Sequence, residues 1–141
     1  MRTSTYRGTS RLLGLAVAMT VLAAATAASA ATIGTWNVDA GGNWSTSTNW
    51  DTDPAVPSAA GDTANLTYAI TAGRTVTVNT PETVGILNTG SGTAFSYNVN
   101  NSGGATLTMN NNGSGAQINQ VATSFGDTIN APVVLADNLT I

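Results

Sequence analysis

"RTVTVNTPETVGILNTG", residues 74–90, carries the pattern that decides the fold class. Val76 and Val78 alternate with threonines, which places them on one face of an extended chain. After the Thr80-Pro81 break the alternation resumes. Val84 and Ile86 are expected on one face and Leu87 on the other. Working outward, "ANLTYAI" (64–70) sets Leu66 beside Tyr68, and "AFSYNVN" (94–100) alternates Phe95, Tyr97 and Val99. "ATLTMN" (105–110) repeats the pattern with Leu107 and Met109, and "AQINQVA" (116–122) is a weaker version. "NAPVVLA" (130–136) and "NLTI" (138–141) close the series. β-Branched and aromatic residues at period two, bounded by Gly and Asn, predict strands. No helical stripe follows Ala30, so the expected class is all-β.

The spacing of the strands narrows the architecture. Apolar centres at Val78, Leu87, Tyr97, Leu107, Ile118, Ile129 and Leu139 lie nine to eleven residues apart. Between them stand "NTGSGT" (88–93), "NNSGG" (100–104) and "NNNGSG" (110–115). Gly and Asn enter left-handed backbone conformations at low cost, so these clusters are expected corners. A regular beat of short strands suits a β-solenoid, a sandwich or a barrel. The abundance of Asn, Thr and Gly over charge favours the solenoid, in which Asn can stack in ladders at corners. A β-sandwich is the alternative.

Three stretches also resemble a known group. "TWNVDAGGNWSTSTNWD" (35–51), "VPSAAGDTANLT" (56–67) and "RTVTVNTPETVGILNTGSG" (74–92) are similar to the N-terminal part of exported bacterial proteins with autotransporter-associated β-strand repeats. "INAPVVLADNLTI" (129–141) resembles the strand pair of the repeat itself. The resemblance implies a right-handed parallel β-helix in a surface-exposed or secreted protein without assigned catalysis. Proteins of that group continue through many more coils to an outer-membrane barrel or sorting tail. By that measure the chain is expected to be a fragment, truncated at its C-terminus.

An export route is legible without the resemblance. Arg2, Arg7 and Arg11 precede an apolar run from Leu12 to Ala28, and Ala28-Ser29-Ala30 supplies a small-x-small cleavage pattern. Residues 1–30 therefore read as a secretory signal peptide cut after Ala30, with no membrane span left after cleavage. Residues 31–62 would form a Trp-rich cap and residues 63–141 the repeat coils.

Removing the leader leaves Arg74 as the only Lys or Arg, against Asp39, Asp51, Asp53, Asp62, Glu82, Asp127 and Asp137. That balance opposes binding to nucleic acid, whose affinity comes from Lys and Arg on phosphates. There is no cysteine and no histidine. The usual general base, the usual zinc ligand and every Ser-His or Cys-His pair are thereby removed. Paired acids such as Asp51 and Asp53 could meet the separation a glycosidase needs, but so could most acidic loops. Arg74 opens a strand and reads as an edge residue. No catalytic residue is assigned, and the chain is not expected to be an enzyme.

Trp36, Trp44 and Trp50 stand eight and six residues apart, in "GNWSTSTNWD" (42–51) and just before it. Two uses compete. An aromatic platform would stack sugar rings, with Asn43, Asn49 and Asp51 binding hydroxyls. A plug would instead fold the indoles over the exposed end of the first coil, where solenoids need atypical caps. The plug also accounts for Trp appearing only at the start of the pattern. Asn49, Asp51 and Asp53 alternate oxygen ligands like the first half of a calcium loop. Pro54 and Ala60 occupy the positions where that loop has Gly and Glu, so calcium would require a looser site recruiting Asp62. The competing reading is an ordinary turn. No other cofactor is implied. The expected function is that of a secreted or cell-surface structural or adhesive protein. Its partners would be surface glycans or other cells, with self-association through an exposed strand edge. The alternative is a carbohydrate-binding module using the Trp platform.

Overall fold

The computed structural model describes residues 30–141, so the expected signal peptide, Ala30 apart, lies outside the described residues. The described chain is all-β. β1 (Ile33–Thr35), β2 (Gly42–Asn43), β3 (Thr63–Leu66), β4 (Arg74–Val78), β5 (Glu82–Val84) and β6 (Ile86–Thr89) are followed by β7 (Tyr97–Asn101), β8 (Leu107–Met109), β9 (Ala116–Gln120), β10 (Thr128–Ile129), β11 (Val133–Leu135) and β12 (Leu139–Thr140). One 3-10 turn, Ser47–Asn49, lies between β2 and β3.

The strands form three sheets, with orders β1-β3-β6-β9-β12, β2-β4-β7-β10 and β5-β8-β11. Every strand pair is parallel. This excludes the expected alternative, because sandwich sheets are antiparallel. Parallel neighbours need a long crossover. Here the crossover consists of the strands of the other two sheets. From β3 onward the chain visits the first, second and third sheet in turn, then returns beside its own earlier strand.

Inward side chains stack like on like across these layers. Ala64, Leu87 and Ile118 are in register on the first sheet, and Val76, Val99 and Ile129 on the second. On the third, Val84 pairs with Met109 and Met109 with Leu135. The inward Val and Leu side chains before the last layer are buried, each contributing about 1.5–3 kcal/mol relative to exposure. Parallel sheets are ordinarily covered on both faces. In this chain the outward faces carry Thr and Asn instead, and the amides bond from layer to layer. Asn88 Nδ2 donates to Asn65 Oδ1 at 2.7 Å, and Asn119 Nδ2 donates to Asn88 Oδ1 at 2.9 Å. A parallel row joins Asn130 Nδ2 to Asn100 Oδ1 at 2.8 Å. The longer ladder runs through the middle of strands β3, β6 and β9, not at corners as expected.

The Gly/Asn clusters do lie at corners, where Gly90, Gly92, Gly103, Gly104, Gly113, Gly115 and Asn112 take positive φ. Other expectations need correction. Leu87, not Ile86, points inward, because Gly85 is itself a corner and the turn between sheets restarts the alternation. A Cβ on Gly85 would meet Asn111 Oδ1 at 2.5 Å. Tyr68 and Phe95 do not pack with their expected strand partners. They fall outside β3 and β7 and are 41% and 40% exposed.

Candidate functional site

The tryptophans converge through local folding that even spacing does not capture. Trp36 follows β1 and forms an isolated antiparallel bridge with Trp50, which follows the 3-10 turn. Trp44 follows β2 directly. The Trp36 and Trp50 rings meet edge to face at 5.4 Å, and those of Trp44 and Trp50 tilt at 58° with centroids 5.1 Å apart. Each ring N–H finds a carbonyl: Trp36 donates to Ala40 at 3.1 Å, Trp44 to Pro57 at 2.8 Å and Trp50 to Trp44 at 2.7 Å. The indoles are 0%, 0% and 1% exposed. A sugar platform needs a free ring face, so the stacking role expected of Trp36, Trp44 and Trp50 is corrected: these rings are core. They lie beside β1 and β2, the outermost strands of their sheets.

The oxygen ligands expected for calcium are not brought together. Asp62 Oδ1 accepts the Thr32 N–H at 2.7 Å, and its Oδ2 accepts those of Ser58 and Ala59 at 3.0 and 2.9 Å. Asp51 Oδ1 accepts the Thr35 N–H at 2.7 Å, while the Asn49 amide donates to the Asn43 carbonyl at 3.4 Å. Among the described residues no group of three or more acids, His or Cys could hold a metal. Asn49, Asp51, Asp53 and Asp62 therefore do not make a calcium site in this structure. Asp51 and Asp62 fix backbone N–H groups instead.

Other acids hold the layers together in the same way, a role the sequence reading missed. Asp127 Oδ1 accepts the Tyr97 N–H at 2.7 Å, thirty residues back. Asp137 Oδ2 takes the Asn111 and Gly113 N–H groups at 2.5 and 3.0 Å. Asp39 accepts from the Thr71 N–H and hydroxyl and pairs with Arg74 at 2.7 Å. Thr71 first, then Arg74, lowers its pKa from 3.8 to about 2. Buried Glu82 accepts the hydroxyls of Ser58 and Thr80. For Asp62 and Asp127 the signal was an Asp thirty residues beyond a residue at or just before the start of a strand, β1 and β7. It becomes readable only when the circuit length is known. Burial pushes the Tyr97 phenol up, with Asp39 and Asp127 adding to the effect, and its O–H donates to the Tyr68 carbonyl at 3.2 Å. Bonded and buried, it is no ready acid or base.

Two exposed features remain. At the end of the stack formed by β10, β11 and β12, a concavity of about 520 Å³ opens over Ile118, Ile129 and Ile141. Val133, Val134 and Leu135 are exposed at the same end. The second feature lies at the corner between the first and second sheets. Segments 67–73, 90–96 and 121–127 stack there and expose Tyr68, Phe95 and Phe125.

Comparison with models of known families, with curated proteins and with solved structures found no match.

Proposed function

We propose that this chain is a right-handed parallel β-solenoid from an exported, cell-surface structural or adhesive protein. The handedness follows the rule that crossovers between parallel strands are overwhelmingly right-handed. One observation carries the reading: the chain returns to each of three parallel sheets in fixed order, with uncharged Thr and Asn ladders outward. Such a form multiplies polar, low-charge surface layer by layer, which suits contact with other surfaces and offers no catalytic constellation. The buried indole cluster at residues 36–50 acts as the cap of the first coil, closing the core where β1 and β2 leave it open. This is the arrangement implied by the resemblance to exported proteins with autotransporter-associated β-strand repeats. The leader at residues 1–30 would direct export, and cleavage after Ala30 would leave two residues before β1. The edges of β10, β11 and β12 offer a route to self-association, since unpaired parallel edges with apolar side chains recruit further strands.

The test is location. Protease treatment of intact producing cells, followed by an immunoblot against residues 31–60, should remove the signal while leaving a cytoplasmic marker intact. Full protection of the epitope, with none in the medium, would sink the surface reading.

A further inference from the structure

We infer that the ammonium freed when the leader is cut after Ala30 docks on the Asp62 carboxylate and locks the first coil; the inference rests on the export reading above. Asp62 is only 4% exposed and stands where three segments meet. It directly precedes β3, its Oδ1 accepts the N–H of Thr32 just before β1, and its Oδ2 accepts those of Ser58 and Ala59. These donors take three of the roughly four acceptor positions that a carboxylate offers. None of them carries a charge. Beside them opens a concavity of about 350 Å³, lined by Ala30, Ala31, Ala60 and Asn112 as well as Thr32 and Asp62. Among the described residues Asp62 supplies the one charged side chain of that lining. The buried carboxylate therefore faces a space that reaches the cut.

Covalent geometry fixes where the new charge arises. Thr32 is held from both sides, its nitrogen 2.7 Å from Asp62 Oδ1 and its carbonyl accepting the Thr63 N–H at 2.8 Å. Consecutive backbone nitrogens are at most about 3.7 Å apart, which keeps the Ala31 nitrogen within about 6.5 Å of Asp62 Oδ1. Before cleavage that nitrogen is a neutral amide. Hydrolysis puts the water hydroxyl on the Ala30 carbonyl carbon, which departs with the leader as a carboxylate. The Ala31 nitrogen gains protons and becomes an ammonium. An opposite charge at such a range favours the charged form. No other cation competes for Asp62, because Arg74, the one basic side chain after residue 11, is already paired with Asp39. The acids of the adjoining segments are also occupied. Glu82 accepts the hydroxyls of Ser58 and Thr80, and Asp137 accepts the N–H groups on either side of Asn112. The lock secures β1, a three-residue strand with β3 as its strand partner.

The chain holds no lysine, so once the leader is gone its α-amine is the only primary amine and an amine reagent reports it alone. The secreted product is sequenced from its N-terminus, and its rate of acylation by acetic anhydride is then followed against pH. The midpoint should lie about one unit above the roughly 7.7–8.0 of an ordinary α-amine. Asp62→Asn, which removes the charge, should return it to that value. A Gly-Ser-Gly-Ser insertion between Ala30 and Ala31 carries the amine away and leaves Asp62 in place. It should do the same, and it serves where Asp62→Asn fails to fold. A raised folded pKa stabilises below the unfolded value, so the mature chain should resist more urea than the inserted one below about pH 7.7. That gap should close as the pH rises through the folded midpoint. An ordinary midpoint in a product beginning at Ala31 overturns the lock and leaves the export reading standing. A raised midpoint that survives the insertion, or equal resistance to urea below that pH, overturns it as well. A product beginning at another residue overturns the cleavage reading, and the lock with it.

Discussion

Trp50 touches both other indoles and donates its ring N–H to the Trp44 carbonyl, so its loss removes two ring contacts and a buried hydrogen bond. Truncating a buried Trp in a packed site costs about 3–5 kcal/mol. Trp50→Ala should lower the denaturant midpoint accordingly, and a loss under about 1 kcal/mol would show that the cluster is loosely packed. At Asp39 the decisive partner is Thr71, whose hydroxyl and N–H both bind the carboxylate. Its folded pKa lies below its ordinary value, so the favourable interaction is fully present above pH 3.8 and fades as the pH falls toward 2. Thr71→Val removes the hydroxyl and should move the Asp39 titration, followed by carboxyl NMR, up toward 3.8. An unchanged midpoint would mean that the Thr71 N–H and Arg74 set it without the hydroxyl.

Strands two to five residues long cannot stand alone, so each element here is stabilised by the neighbouring layers. Asn88 shows this dependence. It donates to Asn65 and accepts from Asn119 across two interlayer steps. Asn88→Ala cuts both bonds at a half-buried site and should cost about 1–2 kcal/mol. Asn65→Ala, which leaves the bond between Asn88 and Asn119 in place and gives up, besides the bond from Asn88, only a long one to Thr35 Oγ1 at 3.4 Å, should cost less. Equal costs, read from urea unfolding, would argue against a ladder. Gly85 joins β5 to β6 where no side chain fits, with Asn111 Oδ1 at 2.5 Å and the Gly61 Cα at 3.0 Å from a would-be Cβ. Overpacking of this kind costs about 1–3 kcal/mol. Gly85→Ala should therefore destabilise, even though alanine ordinarily favours order over glycine. Thermal unfolding that is unchanged or raised would show that the corner gives way.

The two ends of the stack differ in what covers the core. Three buried indoles lie beside the terminal strands β1 and β2, while Ile118, Ile129 and Ile141 face an open concavity at the other end. Exposed apolar strands beside unpaired edges are the usual route to edge-to-edge association. The chain of residues 31–141 should therefore self-associate through the β10–β12 end. Charge placed there by Val134→Lys or Leu135→Lys should shift it toward monomer in sedimentation velocity. A monodisperse wild-type monomer at high concentration would overturn the expectation. Substitution of the indoles should change stability with little effect on this equilibrium, because they sit at the opposite end.

By itself the sequence determined that the described chain is built of short strands, and it marked most of their positions. Val76, Val78, Val99, Leu107 and Met109 are buried as their alternation requires, and the Gly/Asn clusters turn the chain. Period two is a property of the extended backbone and needs no partner to be read. The tertiary structure alone decided which strands are neighbours, because the chain returns beside itself after unequal stretches, such as 23, 30 and 31 residues at three interlayer bonds, set by corners of unequal length. Ile86 and Leu87 exchanged faces because a corner at Gly85 resets the alternation. The tertiary structure also decided against one of the two competing uses of the tryptophans, because all three rings are buried. Spacing along a chain says nothing about direction once a 3-10 turn and an antiparallel bridge intervene. Tyr68, Phe95 and Phe125 came together on one corner for the converse reason. Phe95 and Phe125 are one circuit of thirty residues apart, Tyr68 is offset from that register, and only the return of the chain places them on one side.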